Sequence, residues 1–368
     1  MKLLDFQDYA KNETERVKNA LPKLKETSLR FAFISDLHYK FIDEMRVTVS
    51  NIIHAVNELN KTEKIDFLCL GGDNVGNYPT SPEDHIKMME ELRALLENSE
   101  VPVIFVQGNH DDNSIHGSIP GTNTCRIGFE VKDDIQYDTL FSIAEKCPAF
   151  HFAGNKALYG YFDAEKANTR VVFLNSSDVP YIVRDGIMKY NQQWDFGYSE
   201  KQLSWLCHTA LANAPENVIF IEHMPFDHIR HNYSGENIYN EDAVDAITTA
   251  FSCAEKLHIE SQHEDFGYNI SVDFQGETHN IPARISAHCH IDTQTIDPAG
   301  FLSVTTMLAG RKNSGMAAGD DGVLYEREPY SAIETSMDIF TFDPEEYTLS
   351  ATRYGSGKSR TFTLKKRS

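Results

Sequence analysis

Five short stretches of the chain follow apolar runs with groups able to bind a cation or move a proton. They are Asp36-Leu37-His38, Gly71-Gly72-Asp73-Asn74, Gly108-Asn109-His110-Asp111, His223-Met224-Pro225 and Ala287-His288-Cys289-His290. Taken singly, each reads as a polar strand end running into a turn. Five recurrences after apolar runs are hard to explain by turns alone. Carboxylate, amide oxygen and imidazole without thiolate suit borderline and hard divalent ions such as Mn, Fe and Zn. If strand geometry carries on through these stretches, residues i and i+2 share a face, which pairs Asp36 with His38 and His288 with His290. The same periodicity turns Cys289 away, as a small packing residue.

The elements that must position these groups alternate. "LRFAFIS" (29–35), "DFLCL" (66–70) and "VPVIFVQ" (101–107) read as strands. Between them "RVTVSNIIHAVNELN" (46–60) and "SPEDHIKMMEELRALLEN" (81–98) read as helices, the second with Ser81 as N-cap and Pro82 in the first turn. Apolar strands without alternation predict a sheet that is parallel here and covered on both faces. In such a sheet the carboxyl ends of the strands lie along one edge, where sites form. Later strands are expected at 169–178, 217–223 and 283–290, with a helix over 199–214 capped by Ser199. From about 301 onward the pattern predicts antiparallel strands. The polar stretch 224–283, with one helix near 241–254, reads as an insertion over the sheet edge. The first 27 residues read as a charged helical extension, and residues 28–368 as one domain carrying that cap-like insertion.

Composition narrows the function classes. The balance of 55 acidic to 34 basic residues gives a formal charge of −21, which disfavours long nucleic acid unless positive charge is concentrated locally. Six cysteines without CxxC spacing argue against a zinc ribbon or a disulfide framework. The charged start lacks the apolar run of a secretory signal, and no segment approaches a membrane span, so a cytoplasmic protein is expected.

The ordered blocks D-x-H, G-D, G-N-H-D, H and H-x-H resemble those of the calcineurin-like metallophosphoesterases. "GYSEKQLSWL" (197–206) before the fourth block is similar as well, while Ala287 stands where the family's last block has glycine. The resemblance implies an α/β fold: a two-sheet β-sandwich flanked by helices, in four layers αββα. Its site would lie at the carboxyl ends of the strands and hold two divalent or trivalent ions, Mn, Fe or Zn. Carried over, Asp73 would bridge them. Asp36, His38 and His290 would hold the first, and Asn109, His223 and His288 the second. His110 would face the substrate as general acid, oriented by Asp111. Gly76 stands where a tyrosinate-ligated site of the purple acid phosphatase type would need Tyr.

The charge argument agrees. Two divalent ions less the carboxylates of Asp36 and Asp73 leave about +2, less one for a bridging hydroxide, enough to attract a phosphate. Paired ions lower the pKa of a bridging water and clamp the phosphoryl oxygens during in-line attack, and a neighbouring His can protonate the leaving oxygen. The leading expectation is therefore hydrolysis of a small phosphodiester or phosphomonoester such as a nucleotide. A nuclease of the same chemistry and a non-catalytic scaffold, similar to a retromer subunit, are the alternatives. His228, Arg230 and His231 could reach substrate. His54 reads as a packed or partly exposed helix residue, Asp112, His116, His208, His258, His263 and His279 as surface, and "KKR" at 365–367 as a solvated tail.

Overall fold

The computed structural model describes residues 1–76, 81–226, 236–276, 278–297, 299–310, 316–318 and 324–366. His228, Arg230, His231 and Arg367 lie outside the described residues. The alternation read near the N-terminus is present: α1 (Asp8–Ala20), β1 (Leu29–Ile34), α2 (Asp43–Glu63), β2 (Phe67–Leu70), α3 (Pro82–Leu96) and β3 (Val103–Phe105). β1 pairs with β2, and β2 with β3, in parallel. The Ser81 side chain accepts from the Asp84 N–H, so α3 begins as its cap residue dictates.

These strands belong to a six-stranded sheet whose other half is antiparallel: Ser336–Asp343 pairs with β1, then come Thr348–Gly355 and Arg360–Thr363. A second sheet has seven strands, ordered Thr293–Ile296, Leu302–Thr305, Arg284–Ser286, Asn217–Ile221, Thr169–Phe173, Gly160–Ala164 and Phe150–Phe152. Leu302–Thr305, expected to be antiparallel, instead pairs in parallel with Arg284–Ser286 and antiparallel only with Thr293–Ile296. Periodicity reports which residues share a face, not which strand lies alongside.

Strand alternation divides the core. Phe31, Phe33 and Phe67 of the first sheet share one apolar cluster with Val171, Phe173, Ile219 and Ile285 of the second. Ala32 and Ile34 join another cluster with Ile52, Val56 and Leu59 of α2 and Leu92 of α3. Val172, Val218 and Phe220 of the second sheet pack with Leu203, Leu206, Ile247 and Phe251. Both faces of the central strands Leu29–Ile34, Thr169–Phe173 and Asn217–Ile221 are covered, which is why the sequence reads there as apolar runs. Val17 of α1 lies in the α2–α3 cluster, and the Gly355 N–H donates to Glu13, tying the first helix to the C-terminal half.

The helix expected over 199–214 is α-helical over Glu200–Trp205 and wider, π-helical, over Leu206–Ala210. The stretch 224–283 is more regular than its composition suggests. Besides a helix at Glu241–Ser252 it holds an antiparallel hairpin, Lys256–Ser261 with Tyr268–Asp273.

Candidate metal centre

Immediately beyond their strands, the five stretches leave extended geometry and interlock. Asp36 N donates to Gly72 O at 2.9 Å, His38 N to Asp73 O at 2.8 Å, and Ala287 N to His223 O at 3.0 Å. Asp36, His38, Asp73, His288 and His290 all have left-handed backbones, with φ of 51°, 47°, 51°, 66° and 62°. Asp36 and His38 come together here through left-handed residues and not through the pleat expected from the sequence, while His288 and His290 turn to different neighbours, Asn109 and His38. An L-residue in that conformation costs on the order of 1–2 kcal/mol, and such strain concentrates at functional sites. The glycines admit the close approach: a Cβ on Gly72 would lie 2.3 Å from His223 Nδ1, and one on Gly108 2.1 Å from Asp73 N.

Asp36, His38, Asp73 and His290 offer one ligand atom each, all within 4.8 Å of one another. His38 Nε2 lies 3.3 Å from His290 Nε2, and His290 Nε2 lies 3.1 Å from Asp36 Oδ1. A second group adjoins it. Asn109 Oδ1 is 3.1 Å from both His223 Nε2 and His288 Nδ1. His223 Nδ1 donates to Gly71 O at 2.9 Å, which fixes the tautomer and leaves Nε2 facing Asn109. Asp73 stands between the groups, Oδ1 at 3.5 Å from His223 Nε2 and Oδ2 at 3.8 Å from His38 Nε2. Its Oδ1 also accepts from His110 N at 2.8 Å.

The electrostatics are those of charges withdrawn from water. Burial, then Asp36 and Asp111, pushes the Asp73 carboxyl well above its usual range. Asp36 is also raised by burial, but the adjacent His290 and the nearby His223 and His38 outweigh that and hold it low. Burial, then His110 and His290, holds His38 well below its usual value. His110 falls to about 3, through burial and then His223, His288 and His290. Imidazoles crowded beside buried carboxylates are the donor set that a divalent cation relieves.

His110 lies beside this cluster, its Nε2 3.8 Å from Asp73 Oδ2 and its ring edge-on to His38 at 5.0 Å. The expectation that Asp111 orients the His110 ring is not met. The Asp111 carboxylate accepts from Asn74 N, Asn74 Nδ2 and Gly108 N at 2.8 Å and from Val75 N at 3.2 Å, while His110 Nδ1 is buried without a partner. A carboxylate satisfied by four N–H groups fixes the loops that follow β2 and β3. His85 Nε2, donating to Asp111 O at 2.9 Å, braces the same junction from α3.

Cys289 is buried and is not among the clustered ligand groups. His208, His258 and His263 are exposed. Asp112 is not a surface residue. It is fully buried, one oxygen accepting from Ser114 N and Oγ and the other without a partner, and burial pushes its pKa up to about 7. Its place directly after the third ligand loop folds it inward with that loop. His116 and His279 are half-buried, the latter stacked on Phe251 and bonded to Pro215 O. His54 packs against Phe6. Glu236 is a residue that the strand-end pattern missed: its Oε1 lies 3.1 Å from His288 Nε2.

The calcineurin-like phosphoesterase family model matches residues 29–292, and the chain belongs to that family of phosphoric ester hydrolases. Among solved structures it is similar to a dimetal phosphatase from Danio rerio, with a TM-score of 0.55 and 15% identity over 92% of this chain and 99% of that one. That likeness shows the fold. No curated protein matches the chain in sequence.

Proposed function

We propose that the chain hydrolyses a small phosphodiester or phosphomonoester, such as a nucleotide, at a centre of two metal ions. The carrying observation is the position of Asp73, with Oδ1 toward His223 and Oδ2 toward His38, the carboxylate itself lying in the cluster with Asp36, His38 and His290. The donor set fits two ions: Asp36, His38 and His290 would hold one, Asn109, His223 and His288 the other, with Asp73 between. Mn, Fe and Zn suit these oxygen and imidazole donors. Bound there, the pair would polarise the phosphoryl oxygens and activate water for in-line displacement.

The protein's own contribution is placement. His110, held by its backbone to Asp73 and bearing an unpartnered buried Nδ1, is the proton donor to the departing oxygen. Without ligand its ring is neutral. An arriving phosphate brings the negative charge that favours the protonated form. Asp111 holds the loops that present Asp73 and Asn109. The two apolar-bonded sheets with helices outside them support the four-layer αββα reading, with the centre at the carboxyl ends of the strands. Residues 224–283 act as a cap on the 28–368 domain, and 1–27 as its helical extension.

The test compares leaving groups. An alkoxide needs a proton in the transition state and a nitrophenolate does not. His110→Asn should lose roughly 10²–10⁴-fold on alkyl esters, distinctly less on the nitrophenyl ester, and retain its metal. Equal losses on both esters would remove the general-acid assignment.

A further inference from the structure

Glu236 lies outside all five strand-end stretches, yet its buried side chain, 3% exposed, meets His288 Nε2 at 3.1 Å. The opposite nitrogen, Nδ1, is the one that faces Asn109 Oδ1 at 3.1 Å, where His223 Nε2 also converges. The carboxylate therefore touches the imidazole on the side away from the convergent donors. Its backbone is pinned as well. The next residues, Asn237–Tyr239, pair in parallel with Asp195–Gly197, Asn237 N donating to Trp194 O and Asn237 Nδ2 to Asp195 Oδ1, each at 2.8 Å. The partner strand supplies Phe196, whose ring meets that of His288 at 5.5 Å and 73°. The two short strands thus deliver an acid to one edge of the ring and an aromatic against it.

We propose that Glu236 is the positioning residue of the second ion site: it accepts the Nε2 proton of His288 and so presents Nδ1 to the cation held with Asn109 and His223. A carboxylate on the far nitrogen of a metal-binding imidazole fixes its tautomer and ring orientation, and its loss typically weakens metal affinity about 10–100-fold. The inference rests on the two-ion reading. It also gives the segment between His223 and His288 a direct part in the centre.

The experiment titrates the metal-stripped full chain with Mn²⁺, reading bound ion by calorimetry and by electron paramagnetic resonance. The parent should bind two ions. Glu236→Ala should weaken one of them about 10–100-fold and leave the other within about twofold. Glu236→Gln should recover most of the loss, because its amide oxygen still accepts from Nε2. Glu236→Asp, which withdraws the acid by one methylene, should weaken the same ion and serves if the Ala variant does not fold. Parent-like affinity for both ions in the Ala or Asp variant overturns the role of Glu236 alone. A Gln variant as impaired as Ala overturns it too, since hydrogen bonding would not then be the function. A parent that binds one ion overturns the two-ion reading itself.

Discussion

Asp111 and Asp112 are buried sequence neighbours whose carboxyls are both raised by burial, to about 6 and about 7, and they differ in their hydrogen bonds. Asp111 accepts from four N–H groups, whereas Asp112 keeps one oxygen without a partner and has its pKa pushed up to about 7. The folded chain keeps that proton up to about pH 7, while the unfolded chain releases it near 3.8. Between those values the folded form binds more protons, so stability falls as pH rises through the window. Asp112→Asn removes the ionisation and can still accept from Ser114. Its melting temperature should change less than the parent's between about pH 5 and about pH 8. An unchanged difference would mean that Asp112 ionises normally in the fold.

At the scale of elements, the loops are set by backbone contact more than by side-chain choice. Gly72, at φ +99°, has no room for a Cβ beside His223. Gly72→Ala should cost about 1–3 kcal/mol of stability and displace His223, weakening one ion; calorimetric melting and metal titration check this, and an unaffected affinity would contradict it. The ligand-bearing strands were legible in the sequence because residues 29–34 and 217–221 are apolar on both faces and stop at polar groups. The partition into two sheets was not, because pairings such as that of Ser336–Asp343 with β1 join residues some 300 apart. The hairpin at 256–273 was legible but missed: KLHIES and YNISVD alternate apolar and polar residues, the mark of a half-exposed strand, within a stretch whose composition reads as irregular. Glu236 carries no local cue, since its meaning depends on His288, 52 residues on. Nor could the sequence say that Asp111 would bond to the loop that follows β2.

For the whole molecule, a charge of −21 sets the terms on which substrate arrives. Long polyanions are repelled except at a centre carrying its own cations, and a small ester meets that centre with less total charge. Hydrolysis of a long single-stranded nucleic acid should therefore improve as salt rises from about 50 to about 200 mM, while that of a small diester moves little. A polyanion rate that falls steeply with salt would instead reveal a basic groove and favour a nuclease. No described helix is long and apolar enough to cross a membrane.

The central claim is that Asp73 joins two ions into one hydrolytic centre. Its most direct test is metal content and phosphodiester turnover, measured together on parent and Asp73→Ala after stripping with chelator and reloading with Mn²⁺. The account predicts two ions per chain in the parent, with turnover returning as the second is filled, and loss of both ions, or most of both, in the variant. Full turnover with a single ion, or two ions retained without Asp73, would contradict it.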